Sequence, residues 1–140
     1  MSDSAFIDTN VLVYLFDEGA PKKRDRARKR LASERAARDL IVSTQVLQEL
    51  YVALTRGAKP IAMPDVAERA VREVAALTTV QIDAALVLEA VVASRQHALS
   101  FWDALIVRAA AQAGCDILLT EDMQHGQTID GVRIENPFRA

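Results

Sequence analysis

The sequence is poor in the residues that build disulfide frameworks, histidine-rich metal sites and disordered chains. Its 140 residues include one cysteine, Cys115, two histidines, five glycines and four prolines. A single cysteine cannot form a disulfide within the chain and is too little for a zinc knuckle, which suits a reducing compartment. Because 51% of the residues are hydrophobic, the chain is globular, and its length predicts one domain over residues 1–140.

Membrane and targeting segments are also missing from the sequence. No apolar run approaches the ~20 residues that a bilayer-spanning helix needs. The N-terminus has no basic segment followed by an apolar one. We therefore expect a cytoplasmic protein without a membrane partner.

Several common enzyme motifs are absent as well. The chain has no G-x-S-x-G elbow, no phosphate-binding glycine loop and no G-x-G-x-x-G. Hydrolases with a Ser-His-Asp triad, P-loop proteins and dinucleotide-binding proteins therefore lack their characteristic parts here.

The net charge of -2 conceals an uneven distribution. Residues 22–38 contain nine of the seventeen Lys and Arg against only Asp25 and Glu34, so this segment carries +7 and the remainder -9. An acidic body with one basic helix can hold metal in one place and phosphates in another, although a solvated charged helix is an equally good explanation. The candidate phosphate contacts are Lys22, Lys23, Arg24, Arg26, Arg28, Lys29 and Arg30.

Strand and helix signals alternate along the chain. Short apolar runs predict buried strands at residues 5–7, 40–42 and 115–120, with a brief extended segment at 78–81 and a final strand at 132–134 after the Asp130-Gly131 turn. Helices are predicted between them, at residues 11–16, 21–39, 44–56, 64–77, 83–97 and 100–113. This alternation predicts an α/β sandwich with a mostly parallel sheet.

Residues that start helices are recognisable at most of these boundaries. Asn10 is a plausible N-cap of the first helix, Ser43 or Thr44 of the third and Asp83 of the fifth. Two apolar faces stand out. The third helix has a predicted core face of Val46, Leu47, Leu50, Tyr51 and Leu54. The fifth is apolar around much of its circumference, which indicates burial or an oligomer contact, at Leu86, Leu88, Val91 and Val92.

Four acids stand at corresponding ends of these elements. Asp8 and Asp122 follow predicted strands, whereas Glu49 and Asp103 lie near the starts of predicted helices. In a parallel sheet these ends share one edge, so the four carboxylates can meet. Carboxylates clustered in this way repel one another unless divalent cations neutralise them, and oxygen ligands suit Mg²⁺ or Mn²⁺. Such ions can activate a water and stabilise the leaving oxygen of a phosphodiester.

Each acid also has a purely structural explanation. Asp103 completes a capping box with Ser100, Glu49 can be a solvated helix residue, and Asp122 can belong to a turn. Asp8 is the hardest to explain in this way, because it lies between two apolar runs.

Three small polar residues accompany the acids. Thr9 and Asn10 can orient Asp8 or cap the following helix, and Thr120 can do the same for Asp122.

Taken together, the pattern resembles the PIN-domain ribonucleases and, among them, the VapC-like toxins of type II toxin-antitoxin pairs. Four segments carry the resemblance in order along the chain: Phe6-Ile7-Asp8-Thr9-Asn10, residues 43–49, Trp102-Asp103-Ala104-Leu105-Ile106 and Leu118-Leu119-Thr120-Glu121-Asp122. The resemblance implies a three-layer α/β/α fold and metal-dependent endoribonuclease activity. It also implies a homodimer and a small antitoxin whose tail occupies the acidic groove.

The resemblance further implies roles for particular residues. Its catalytic and metal-binding acids would be Asp8, Glu49, Asp103 and Asp122, supported by a polar shell of Thr9, Asn10 and Thr120. Glu121 competes with Asp122 for the fourth position, since either acid can turn inward.

We therefore predict a Mg²⁺- or Mn²⁺-dependent endoribonuclease in which residues 22–38 provide a salt-dependent grip on RNA. Two alternatives stay open. One is a non-catalytic RNA-binding or scaffold domain of the same fold. The other is an aspartate-based phosphatase or phosphoacceptor domain acting through Asp8. Such sites usually have a second acid beside the first, but two residues after Asp8 this chain has Asn10.

Overall fold

The computed structural model describes residues 4–139, in which six strands and six helices alternate along most of the chain. The strands are β1 Ser4–Ile7, β2 Asp39–Ser43, β3 Thr78–Val80, β4 Ile117–Leu119, β5 Thr128–Ile129 and β6 Val132–Glu135. The helices are α1 Thr9–Tyr14, α2 Pro21–Ala37, α3 Thr44–Thr55, α4 Pro64–Ala75, α5 Ala84–His97 and α6 Phe101–Gln112.

The strands form one sheet in the order β3-β2-β1-β4-β6-β5. All neighbouring strands are parallel except β5 and β6, which form an antiparallel hairpin. Phe6 of the inner strand β1 lies beside Ile41 of β2 and Leu118 of β4. Helices cover both faces, so the predicted three-layer α/β/α sandwich with a mostly parallel sheet is confirmed.

The core forms between the inner strands and the helices that cover them. Every residue of β1 is buried, as expected for an apolar strand with a neighbour on each side. On α3, Val46, Leu50 and Leu54 are fully buried, because a spacing of four residues aligns them on one stripe. Tyr51 lies outside that stripe and is 41% exposed, so its predicted place in the core is wrong.

Most of the predicted helix starts are confirmed. Pro21 and Pro64 occupy first positions, and the side chains of Ser43 and Asp83 cap α3 and α5. The prediction of Asn10 as an N-cap is wrong. The helix begins earlier, at Thr9, and the cap is the residue before it, Asp8.

The hairpin at the end of the sheet is only partly visible in the sequence. The predicted Asp130-Gly131 turn is present, and both residues have positive φ, 51° and 81°, as a type I′ turn requires. Strand β5 on its far side was not predicted, because two residues are too few to show a strand pattern.

Helix α5 is buried on one side only. Leu86 is fully buried, whereas Leu88, Val91 and Val92 are 67%, 43% and 44% exposed. None of the helices described between residues 4 and 139 combines the length and hydrophobicity that a membrane crossing requires.

Candidate active site

The predicted acids surround one cavity at the carboxyl edge of the sheet. Asp8 follows β1 directly, and the parallel register of β1 with β2 and β4 brings the ends of these strands to the same edge. A cavity of about 720 Å³ opens there, and Asp8, Glu49, Asp103 and Asp122 all line it. The structure therefore brings together four acids that are between 19 and 114 residues apart in the sequence.

Asp8 is the most buried of the four, with 5% of its surface exposed. One carboxylate oxygen, Oδ1, accepts a hydrogen bond from the backbone N–H of Thr9 at 2.7 Å. The other, Oδ2, accepts from the Thr120 hydroxyl at 2.8 Å and from the Asn10 amide at 3.3 Å. These donors hold the carboxylate in one orientation, facing the cavity.

Burial dominates the protonation of Asp8. Its pKa is raised from 3.8 to about 6, and loss of solvation on burial is the largest cause. The hydrogen bonds from Thr120 and Thr9 act in the opposite direction, and the negative charges of Asp122 and Glu49 raise the pKa further. Asp8 is therefore costly to ionise, and no basic side chain of residues 4–139 lies within ion-pair distance to compensate its charge.

Asn10 and Thr120 connect the end of β1 to the loop after β4. The Asn10 amide nitrogen donates to Asp122 Oδ2 at 3.0 Å and to Thr120 Oγ1 at 3.3 Å, while its amide oxygen accepts from the backbone N–H of Glu121 at 3.1 Å. The fully buried Thr120 hydroxyl also accepts from the backbone N–H of Asp122 at 3.1 Å. Both residues thus position two acids at once, which their spacing in the sequence does not reveal.

Glu49 is held by residues from two helices. The Thr9 hydroxyl on α1 donates to Glu49 Oε1 at 2.9 Å, and Gln45, one turn before Glu49 on α3, donates to Oε2 at 3.3 Å. Gln45 is buried, and its amide also donates to the backbone oxygen of Trp102 on α6 at 3.4 Å. Sequence reasoning missed Gln45. Its i, i+4 relation to Glu49 was the available signal.

Asp103 lies in the first turn of α6, whose cap is Ser100. Its backbone N–H donates to the Ser100 hydroxyl at 3.1 Å, so the cap that the capping-box motif predicted is present and leaves the carboxylate facing the cavity. Burial, followed by the charge of Asp122, raises the pKa of Asp103, and Glu49 adds to this effect. Asp103 is thus close enough to the other acids to sense their charge.

Glu121 and Asp122 point to different surroundings. Glu121 accepts from the Tyr14 hydroxyl at 2.8 Å and pairs with Lys23 Nζ at 2.5 Å. Asp122 instead accepts from Asn10 and lines the cavity, which Glu121 does not. Of the two competing acids, the structure places Asp122 at the site.

The basic residues proposed on α2 divide into two groups. Lys23 pairs with Glu121, and Arg30 pairs with Glu34 and Glu135, so their charges are used within the protein. The others have no ion pair within residues 4–139, and none of them lines the acid cavity: Lys22, Arg24, Arg26, Arg28 and Lys29.

The donor set fits a hard divalent cation. Asp17 also lines the cavity, and the only basic side chain among its lining residues is Arg56. Within residues 4–139, no three His, Cys, Asp or Glu side chains converge closely enough to form a complete ligand set. Carboxylate oxygens are the ligands that Mg²⁺ prefers, and this ion keeps several waters and takes only one or two carboxylates directly. Gln45 Oε1 is buried beside the acids without a donor, and a coordinated water can supply one.

The fold and this arrangement define an α/β/α domain with an acidic centre at the carboxyl edge of a mostly parallel sheet. A family model described as the PIN domain matches residues 5–128, and the chain therefore belongs to the PIN domain family. No curated protein sequence matches it.

Solved structures with the same fold come from several bacteria. A chain of the toxin-antitoxin complex from Klebsiella pneumoniae is 20% identical, with a TM-score of 0.72 over 97% of this chain and 99% of that one. VapBC2 from Rickettsia felis, bound to a promoter DNA fragment, is 19% identical, with a TM-score of 0.69 over 95% and 98%. VapC20 from Mycobacterium tuberculosis, described as a sarcin-ricin loop cleaving toxin, is 21% identical, with a TM-score of 0.60 over 81% and 86%.

Proposed function

We propose that the protein is a metal-dependent endoribonuclease that hydrolyses RNA phosphodiester bonds and serves as the toxin of a toxin-antitoxin pair. The observation that carries this proposal is the convergence of Asp8, Glu49, Asp103 and Asp122 on one cavity with no cation paired to any of them within residues 4–139. The similarity in fold to VapC20, described as a sarcin-ricin loop cleaving toxin, supports a cleaving activity for this chain as well.

Asp8, Asp103, Glu49 and Asp122 would hold one or two Mg²⁺ or Mn²⁺ ions. When bound, such an ion supplies a water nucleophile at neutral pH and stabilises charge on the leaving oxygen. The chain's own contribution is positional. Thr9 fixes Glu49, while Asn10 and Thr120 fix Asp8 and Asp122, so the acids need little rearrangement as charge develops on the phosphate.

We propose two protein partners, a small antitoxin and a second copy of this chain. Chains of similar fold occur in toxin-antitoxin complexes, which supports a small antitoxin as partner. The exposed apolar side chains of Leu88, Val91 and Val92 on α5 support a homodimer. We also propose a cytoplasmic location, because the proposed substrate is RNA.

We expect the purified protein to cleave single-stranded RNA in millimolar Mg²⁺ or Mn²⁺ and to stop when EDTA is added in excess. Gel electrophoresis of a labelled oligonucleotide measures this directly. RNA binding without cleavage under all these conditions would instead support the non-catalytic alternative. Phosphate release from a small ester such as p-nitrophenyl phosphate, without RNA cleavage, would support the phosphatase alternative.

Substitution of the two neighbouring acids gives a matched comparison within the site. We expect Asp122→Asn to reduce kcat/KM for RNA at least about tenfold, because it weakens the carboxylate set around the cation. Glu121→Gln should leave kcat/KM within about twofold, because Glu121 pairs with Lys23 and Tyr14 and does not itself line the cavity. A larger loss with Glu121→Gln than with Asp122→Asn would show that the fourth acid has been assigned to the wrong residue.

A further inference from the structure

A second cavity, of about 590 Å³, adjoins the acid cavity. It lies between the loop joining α1 to α2, the first turns of α2, and the segment joining α3 to α4. Three basic side chains line it, Arg24, Arg28 and Lys59, and we call it the basic cavity after them. Asp17 lines both cavities, so the two are neighbours on the surface of the protein.

The charge of the surface changes sign between the two cavities. The acid cavity is lined by five acids and Arg56, whereas the basic cavity is lined by three cations and two acids, Asp17 and Glu18. The acids of this cavity repel the RNA phosphates on either side of the cleaved bond. Cations further along the strand are therefore needed to bind those phosphates. The basic cavity supplies such cations beside the acid cavity.

The three cations are also not neutralised by the protein. Within residues 4–139, no carboxylate lies within ion-pair distance of Arg24, Arg28 or Lys59. Arg28 donates to the backbone oxygen of Leu15 at 3.3 Å, and the Nε–H of Arg24 is buried without an acceptor. A buried donor without a partner is unfavourable, so an anionic ligand that lets Arg24 satisfy it would be stabilised.

The remaining wall of the basic cavity is apolar. Ile61, Met63 and Val66 are 38%, 62% and 38% exposed, and Phe16 also lines the space. Proteins that bind single-stranded nucleic acid combine cations that follow the phosphates with apolar or aromatic side chains that hold the bases. The volume lies within the range of about 300–1,000 Å³ for small-molecule sites, which is enough for a nucleotide.

We propose that the basic cavity is a subsite for a nucleotide of the RNA substrate outside the cleaved bond. Arg24, Arg28 and Lys59 bind its phosphate, and Phe16 with the exposed apolar wall contacts its base. This inference rests on the proposed ribonuclease function. It implies that the RNA substrate extends from the acid cavity into the basic cavity. The alternative occupant, an acidic segment of a protein partner, is distinguished by the experiment.

The test is the cleavage kinetics of the triple variant Arg24→Gln/Arg28→Gln/Lys59→Gln on an RNA oligonucleotide of about ten nucleotides. We expect KM to rise about tenfold with kcat within twofold, because these contacts hold the ground state and the transition state equally. The slope of log affinity against log salt, measured in EDTA, should fall by about 2, at roughly 0.7 for each neutralised phosphate of a single strand.

The control variant removes equal charge outside helix α2. Arg69→Gln/Arg95→Gln/Arg139→Gln alters three exposed cations that line neither cavity and have no ion pair within residues 4–139, so KM should change by less than about threefold. Because Arg24 is partly buried, the double variant Arg28→Gln/Lys59→Gln, of two exposed residues, repeats the test without disturbing the packing of α2.

Three results would overturn this inference. If the parent cleaves RNA and KM is the same for both triple variants, the basic cavity is not a subsite, although the ribonuclease proposal stands. If hexaglutamate binds the parent but not the variant lacking the cavity cations, while KM for RNA is unchanged, the cavity belongs to a protein partner. If the parent neither cleaves nor binds RNA, both proposals fail together.

Discussion

Asp8→Asn is expected to abolish RNA cleavage while making the metal-free protein more stable at neutral pH. A cation held by carboxylates contributes several kcal/mol to the transition state, and about 4 kcal/mol corresponds to a loss of roughly 10³-fold in kcat/KM. The substitution keeps the shape of the side chain, and its remaining amide oxygen can still accept from the backbone N–H of Thr9. Activity and stability should therefore change in opposite directions.

The gain in stability follows from the pKa of Asp8. Its folded-state pKa, about 6, lies above the unfolded value of 3.8, so the folded state binds more protons than the unfolded state between these values. The contribution of Asp8 to stability is therefore greatest below about pH 4 and is lost as the pH rises through 6. The cost at pH 7 is about 3 kcal/mol, from two pKa units at 1.36 kcal/mol each.

An amide carries no charge and avoids this cost, but its NH₂ group would replace Oδ2 and could not accept the hydrogen bonds that Asn10 and Thr120 donate to that oxygen. The expected net gain is about 1–2 kcal/mol in the free energy of unfolding at pH 7.5, disappearing near pH 4. Urea denaturation in EDTA at the two pH values measures it. Asp25→Asn, on the exposed surface of α2, is the matched control and should change stability by less than about 0.5 kcal/mol.

Full cleavage activity in Asp8→Asn would contradict the site, whatever the stability showed. Loss of activity together with loss of stability at pH 7.5 would mean that Asp8 matters mainly as the N-cap of α1. The two measurements therefore separate a catalytic role from a structural one.

The cost of Asp8 also argues against the non-catalytic alternative. Capping α1 needs only a side chain that accepts a hydrogen bond from its first turn, and Ser, Thr or Asn would provide this without burying a charge. The negative charges of Asp122 and Glu49 add to the penalty. A purely structural role for these acids does not offset the free-energy cost of ionising Asp8, whereas a bound cation would offset it.

Local signals explain why so much of the fold could be predicted from the sequence. The runs around Phe6 and Leu118 are apolar on both faces, as inner strands must be, so the positions of Asp8 and Asp122 beyond the strand ends followed from them. Ser43 and the prolines that start helices also act within a few residues of their own position. The predicted elements therefore differ from the observed ones mainly at their ends.

The contacts that orient the acids are long-range, and for this reason they could not be predicted. Thr9 reaches Glu49 across 40 residues, and Asn10 reaches Asp122 across 112. Which of Glu121 and Asp122 lines the cavity depends on Lys23 of α2, because the ion pair with Lys23 holds the Glu121 carboxylate outside the cavity. No spacing in the sequence encodes that contact, because it depends on α2 lying near the loop that follows β4.

Divalent cations should raise the melting temperature of the parent at pH 7.5, because they neutralise an acidic centre that the fold leaves unpaired. At a concentration ten times Kd, binding adds about 1.4 kcal/mol, which corresponds to roughly 3–6 °C for a domain of this size. Mg²⁺ and Mn²⁺ should each give a much smaller shift in Asp8→Asn, and in the parent at pH 4.5, where Asp8 holds a proton. Differential scanning calorimetry against NaCl of equal ionic strength measures the shift. Equal shifts in the parent and in Asp8→Asn would mean that the ion binds away from Asp8. That result would contradict the proposed metal site.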